Sequence, residues 1–469
     1  MDDELWRWDA VELAQAIRAG TVSCREAVAA CLDRLAAVNP KINAVTVVLA
    51  DQALADADAA DRALARGEPV GPLHGLPVTI KENVDHAGTA TSNGVPAFKD
   101  TIAKTDSPAV ANWKRAGAIV IGRTNAPAFS LRWHTDNELH GATVNPWDKT
   151  RTPGGSSGGA AASLAVGITP LAHGTDYGGS IRYPAYCCGV AGIRPTLGRV
   201  PAFNGTAAEE RTITAQIMAV QGPMARRIRD VRLALAPMAV GDPRDPWWVP
   251  APAAGAPPAH PIKVALTVDP GKLGVDPAIA TAVRDAGAAL ARAGYAVEAV
   301  EPPSVEAAAD LWWSLAWTES KHIMQPTMRK LGGKDVNRAL DKVLSITADL
   351  DIAGYMKGLG ARAKHVRDWL LFLERYPLIV GPVSTEPPFI VGFDVDDAAD
   401  PRRLLRAQRL LTAVNLLGLP SAAVPTGTAG SVPVGVQVIG SRYREDLCLD
   451  AAEVIEAHCG LPTPIDPVT

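Results

Sequence analysis

Ser156 in Gly154-Gly155-Ser156-Ser157-Gly158-Gly159 and Ser180 in Gly174-Thr175-Asp176-Tyr177-Gly178-Gly179-Ser180-Ile181-Arg182 are the residues best placed to do covalent chemistry. A serine hydroxyl is a weak nucleophile at neutral pH until a base takes its proton. Neither run contains a histidine, but Lys81 stands at the end of the apolar stretch Leu76-Pro77-Val78-Thr79-Ile80. Burial lowers a lysine's pKa from about 10.4 because the charged form loses its hydration, and the neutral amine can then act as a base. Flanking glycines let backbone N–H groups approach a carbonyl oxygen closely, which is what holding a developing oxyanion requires. The chemistry open to this set is attack on an acyl carbon. Each signal alone is weak, since Gly/Ser runs commonly serve as linkers and a lysine after a strand is usually solvated.

Such groups need a rigid frame. Residues 9–65 read as helices: Val11, Leu13, Ala14 and Ile17, then Ala27, Val28, Cys31, Leu32 and Leu35, recur at helical spacing. Ser23 with Glu26 makes a capping-box pattern, and an alanine-rich helix from about Leu49 to Arg66 stops at Gly67. The strand 76–80 delivers Lys81. A helix follows from Ser107, with Pro108 at its first position, and ends at Gly117 before the strand Ala118–Ile121. Strand–helix–strand at this spacing predicts parallel pairs in a helix-covered sheet, with reactive groups at strand ends.

The stretch Ala160 to Ala172 reads as a buried helix running into a strand, 168–173. Tyr177-Gly178-Gly179 is then a tight turn, and Ser180 opens a short helix whose free amides favour negative charge. The amides from Tyr177 through Ser180 are thus expected to face an oxyanion. Asp176 and Arg182 carry opposite charges on either side of the turn and read as a scaffold ion pair, since arginine cannot serve as a base. Residues 241–260 are a Pro/Ala-rich connector. Beyond it come a second strand–helix–strand unit (262–266, 276–294, 295–300) and a helical stretch, 305–375, holding Trp312, Trp313, Trp317 and Trp369. Strands at 378–380 and 434–438 and helices near 402–417 and 443–458 complete the chain.

Jointly, Lys81-Glu82-Asn83-Val84-Asp85, both serine runs, Tyr183-Pro184-Ala185, Gly192-Ile193-Arg194-Pro195-Thr196, Asn415-Leu416-Leu417-Gly418-Leu419-Pro420 and Pro433-Val434-Gly435-Val436-Gln437 resemble the amidase signature family, over about residues 10–460. The resemblance implies an α/β fold: one large domain over 1–469, a mixed, mostly parallel sheet covered by helices on both faces. Its parts would be N-terminal helices (9–70), a catalytic core (71–240), the connector (241–260) and the remainder (261–469) with a variable helical region (305–375) and a C-terminal helix.

It also implies roles. Ser180 would be the acyl-forming nucleophile; Ser156, in a cis-peptide setting, would bridge it to Lys81, which takes the proton and later returns it to the leaving amine. Ser157 would hydrogen-bond within its loop. The oxyanion would rest on the amides of Tyr177, Gly178, Gly179 and Ser180. The implied activity is hydrolysis of a carboxylic amide C–N bond through an acyl-enzyme, with no metal or cofactor. Family members commonly carry Asp where this chain has Glu82. Pocket walls would include Phe129, Trp133, Tyr177, Tyr186, Trp313 and Trp317; the last two are one helical turn apart, and as a set they point to an aryl-substituted amide. Arg132 and His134 read as a solvated loop, with a carboxylate as their alternative partner.

Three other readings compete, the last a non-catalytic scaffold of the same fold, against which stands the presence of all three catalytic residue types at positions 81, 156 and 180. Gly154-Gly155-Ser156-Ser157-Gly158 satisfies the G-x-S-x-G nucleophile elbow, which would draw a base from His260, His322, His365 or His458, but no apolar strand precedes it. A glutaminase subunit of a tRNA-dependent amidotransferase would carry an acidic residue where this chain has Gln408. Among partner classes, the net charge of −4 gives no basic footprint for nucleic acid, and no apolar stretch is long enough to span a bilayer. The acidic start lacks a secretory h-region, and the six cysteines lack a C-x-x-C pair and read as reduced, buried thiols of a cytoplasmic protein. The expected partners are a small-molecule amide and, as a candidate homodimer, a second copy of the chain.

Overall fold

Leu378, Ile379 and Val380 are consecutive and buried, yet Leu378 and Val380 belong to one apolar cluster and Ile379 to another. Val438 and Ile439 divide the same way, as do Val264 and Ala265. Successive strand side chains point to opposite faces, so the clusters lie on the two sides of one sheet and both are covered. The computed structural model describes residues 4–468; of the acidic start, Met1, Asp2 and Asp3 lie outside the described residues.

The sheet has 11 strands. They are β1 (Val45–Val48), β2 (Pro77–Lys81), β3 (Ile119–Thr124), β4 (Leu171–Asp176), β5 (Ala191–Arg194), β6 (Val220–Ala225), β7 (Lys263–Leu266), β8 (Ala296–Ala299), β9 (Leu378–Pro382), β10 (Ser421–Ala429) and β11 (Val432–Gly440). Their order is β1-β3-β2-β4-β6-β5-β10-β11-β9-β7-β8. The expected parallel units are present at both ends, β3-β2-β4 and β9-β7-β8. The middle of the sheet and the outer β1–β3 pair are antiparallel. That antiparallel centre is larger than the strand–helix–strand spacing implies. It comes from β5 and β6, short or interrupted by Gly222 and Pro223, and from the β10–β11 hairpin closed by Gly430-Ser431.

The helices Cys24–Ile42, Ile228–Met238, Pro277–Arg292 and Glu445–Cys459 contribute to the first cluster; Val305–Glu319 and Ile352–Arg375 contribute to the second. Ser23 and Glu26 form both bonds of the capping box. The expected helix near 402–417 is divided at Gln408 into Pro401–Ala407 and Arg409–Leu417. The connector 241–260 carries no helix or strand. No helix among the described residues is long and apolar enough to cross a membrane. The six cysteines are free, all buried except the half-buried Cys459.

The helix Gly158–Ala165, which follows the first serine run, is wholly buried. A Cβ on Gly159 would fall 2.6 Å from the backbone N and O of Asn125, leaving no flexible side chain to yield. Gly159→Ala should therefore cost about 1–3 kcal/mol, read as a lower urea midpoint. An unchanged midpoint would contradict this packing.

Candidate active site

Every residue of β2 is buried, and β2 runs between β3 and β4, so the side chain at its end is cut off from water. That side chain is Lys81, 0% exposed. Its Nζ lies within hydrogen-bond distance of three hydroxyls, Ser156 Oγ at 2.6 Å, Thr175 Oγ1 at 2.8 Å and Ser157 Oγ at 3.1 Å, so the neutral amine can donate to two and accept from the third. No carboxylate of the described residues lies within ion-pair distance of it. Burial pushes the amine down from 10.5 to about 7, with Asp176 and Glu82 drawing it back up from farther away. Glu82 is occupied elsewhere: it accepts from Ser92 Oγ (2.8 Å) and the Ala126 N–H (3.2 Å) and lies 3.1 Å from His140 Nε2.

Ser156 follows a cis peptide, Gly155–Ser156. Gly155 is obligatory on space alone, since a Cβ there would fall 2.3 Å from Arg132 O. Ser157 accepts from the Thr175 N–H and donates to Thr175 O, both at 3.3 Å, tying the first serine run to the end of β4. Thr175 carries no motif signal of its own, yet its hydroxyl also accepts from Asn83 Nδ2 at 3.2 Å and completes the surroundings of the amine.

Ser180 stands in the turn after β4. The helix begins only at Arg182, so Ser180 precedes it instead of opening it. Ser156 and Ser180 line the same cavity, together with Thr175, Tyr177 and Gly178. No hydrogen bond joins Ser180 Oγ to Ser156 in this state, a contact that often tightens only with substrate in place.

The turn hangs on Asp176. Its carboxylate accepts from Arg182 Nε (3.0 Å) and Nη2 (3.1 Å), Asn415 Nδ2 (2.8 Å) and the N–H groups of Gly179 (3.0 Å) and Ile181 (3.3 Å). Arg194 Nη1 lies 3.6 Å away. Burial alone would raise this carboxyl, but Arg182 and Arg194 outweigh it and hold the pKa well below the usual range. Arg182 continues to Gln437 Oε1 at 2.9 Å. Arg194, Asn415 and Gln437 come from three separate motifs that spacing alone could not connect. The bond from Gly179 corrects the expected oxyanion site: that N–H is taken by Asp176, whereas those of Tyr177, Gly178 and Ser180 have no such side-chain partner.

The cavity, about 920 Å³, is walled by Phe129, Trp133, Tyr177, Trp313 and Trp317, and also by Trp312. Trp313 and Trp317 stack at 6.0 Å with 7° between planes. Tyr186 is not part of this wall. The helix Arg182–Cys188 turns it into the core, where it stacks on Tyr183 and its hydroxyl donates to Glu386 O at 2.8 Å. Arg132 and His134 are buried, not solvated: Arg132 forks onto Asp394 at 2.7 and 2.9 Å, and His134 Nδ1 lies 3.0 Å from Thr152 Oγ1. None of His260, His322, His365 and His458 lines the cavity. Gln408 is buried outside it, its side-chain amide without a hydrogen-bond partner, so it offers nothing to a glutamine amino group. Among the described residues no group of three or more His, Cys, Asp or Glu side chains is arranged to hold a metal ion.

Known proteins resemble this chain over nearly its whole length. The family model for Amidase matches residues 26–449. The chain is 49% identical over 461 residues to an indoleacetamide hydrolase of Bradyrhizobium diazoefficiens, covering 97% of this chain and 87% of that one. It is 33% identical over 480 residues to a glutamyl-tRNA(Gln) amidotransferase subunit of Moorella thermoacetica, covering 97% of each. Among solved structures, a bacterial aryl acylamidase of the amidase signature family superposes with a TM-score of 0.84 at 27% identity over 97% of both chains. The chain belongs to the amidase signature family, and it is an amide hydrolase.

The depressed lysine also bears on stability. Between pH of about 7 and 10.5 the unfolded chain holds a proton at Lys81 that the folded chain has released. Folding stability therefore rises with pH across that window, by up to about 1.4 kcal/mol per pH unit, and is flat below it. Lys81→Met removes this titration. The stability of the parent relative to the variant should climb from pH 7 to pH 10 in urea unfolding; a constant difference would mean that the lysine titrates at its ordinary pKa.

Proposed function

We propose that the protein hydrolyses aryl-substituted primary amides through Lys81, Ser156 and Ser180. The observation that carries this reading is the fully buried 2.6 Å bond between the Lys81 amine and Ser156 Oγ, on the wall of the cavity that Ser180 also lines. With the amine near neutrality, a usable fraction is uncharged and able to accept a proton. Ser180 attacks the amide carbon while its proton passes by way of Ser156 to Lys81. The N–H groups of Tyr177, Gly178 and Ser180 receive the oxyanion. Lys81 then returns the proton through Ser156 to the departing nitrogen, and ammonia leaves. Water enters by the same relay and frees the carboxylic acid. The steps balance without metal or cofactor.

The aromatic wall and the similarity to indoleacetamide hydrolases support an arylacetamide as the substrate class. Aromatic faces bury a ring that a short aliphatic amide lacks. The same reading takes the protein as a cytoplasmic enzyme that needs no nucleic acid, with a second copy of itself as the candidate partner.

The test is a panel of indole-3-acetamide, phenylacetamide, acetamide and glutamine. Indole-3-acetamide should exceed acetamide in kcat/KM by about 100-fold or more, the value of burying one ring. Ser180→Ala should be inert, Lys81→Ala should lose about 10³-fold, and Ser156→Ala should keep more activity than either. Faster turnover of acetamide would overturn the aryl reading, and an active Ser180→Ala would overturn the nucleophile.

A further inference from the structure

The turn that carries the reactive serine is a weak element on its own. A peptide flanked by Gly178 can rotate by about half a turn at little steric cost, because a glycine accepts the φ on either side. Such a flip would present the carbonyl oxygen of Tyr177 where the N–H of Gly178 belongs. A lone pair would then face the developing negative charge.

Two indole N–H groups stand against it. Trp312 Nε1 donates to Tyr177 O at 3.1 Å, and Trp133 Nε1 donates to Gly178 O at 2.9 Å. In a trans peptide the C=O and the following N–H point in opposite directions. Fixing Tyr177 O therefore fixes the Gly178 N–H, and fixing Gly178 O sends the Gly179 N–H away from Trp133. The Gly179 N–H does point that way, meeting Asp176 Oδ1 at 3.0 Å. The Gly178 N–H is left without a side-chain acceptor, on a residue that lines the cavity.

Trp312 is well braced for this work. Its ring lies 5.2 Å from that of Tyr177 and 4.9 Å from that of Trp313, and a Cβ on Gly178 would touch it at 3.0 Å. The Tyr177 hydroxyl is held in turn by Thr214 Oγ1 at 2.6 Å. Trp133 packs edge-on against Trp313 at 5.7 Å.

We propose that Trp312, assisted by Trp133, is a positioning residue that locks the Tyr177–Gly178 peptide with its N–H available to the oxyanion. The inference rests on Ser180 as the nucleophile and on the amide site described above. It makes one aromatic wall serve both the acyl group and the geometry of the turn.

The decisive change removes the indole N–H and nothing else. Replacing Trp312 by β-(3-benzothienyl)alanine keeps the ring's shape and puts sulfur where the N–H was; Trp312→Phe is the encodable counterpart. Both should lower kcat by about 10–100-fold for acetamide and for phenylacetamide alike, the cost of degrading one oxyanion donor. KM for acetamide, too small to depend on the ring, should change less than about threefold on the same ground, and the pH midpoint of kcat/KM should not move, since Lys81 is untouched. Phosphonylation of Ser180 by a fluorophosphonate should slow by the same factor. A benzothienyl variant with the parent kcat, or a loss confined to KM, would overturn the inference. Ser180→Ala run in parallel separates the two levels: inert, it leaves Trp312 judged on its own, whereas active, it removes the nucleophile and this inference with it.

Discussion

An ammonium group in this position would be shut off from solvent and would have no counter-ion among the described residues. Lys81 is fully buried at the end of β2 with only hydroxyls in reach, and the neutral amine is the form this setting favours. The site depends on charges being kept away from the lysine as much as on what is placed beside it. Glu82, its sequence neighbour, is turned to Ser92, Ala126 and His140. Asp176, one residue beyond Thr175, is saturated by Arg182, Asn415 and two backbone amides. Had either carboxylate paired with the amine, the lysine would remain protonated through neutral pH and could not accept a proton.

Asp176 thereby performs a second task. Its cluster joins β4, the turn, the helix Arg182–Cys188, the helix Arg409–Leu417 and β11, through Arg182, Asn415 and Gln437. A buried carboxylate with several donors is stable only when all are present, because removing one strands a charge. The turn bearing Ser180 is therefore anchored on its inner side by charge-assisted bonds. On its outer side the indoles of Trp133 and Trp312 hold the carbonyls. Chemistry and substrate wall share one scaffold.

Much of this is legible in the sequence, and the exceptions have physical reasons. The strand that delivers Lys81, the helix started by Pro108 and the second strand–helix–strand unit follow from apolar spacing and cap residues, which act locally. β6 is not legible, because Gly222 and Pro223 argue against a strand and only the neighbouring β4 and β5 justify it. Tyr186 falls in the core against expectation, since a seven-residue helix exposes no periodicity that tells its core side from its cavity side. Trp312 differs from Trp313 by one position and can be assigned to the cavity only once the helix Val305–Glu319 is docked. In sequence Gly179 is one amide of four; only the fold shows that the carboxylate three residues back claims it. Arg194, Asn415 and Gln437 are visible as motif members, but their convergence on one arginine–carboxylate pair is a property of the sheet order.

The most direct test of the central claim is an NMR titration of the Lys81 amine, by selective labelling and with Lys81→Met as the assignment control. The amine should lose its proton at a pH of about 7, more than three units below an exposed lysine. A midpoint near 10.5 would show that position 81 holds an ordinary ammonium and would remove the base from the site.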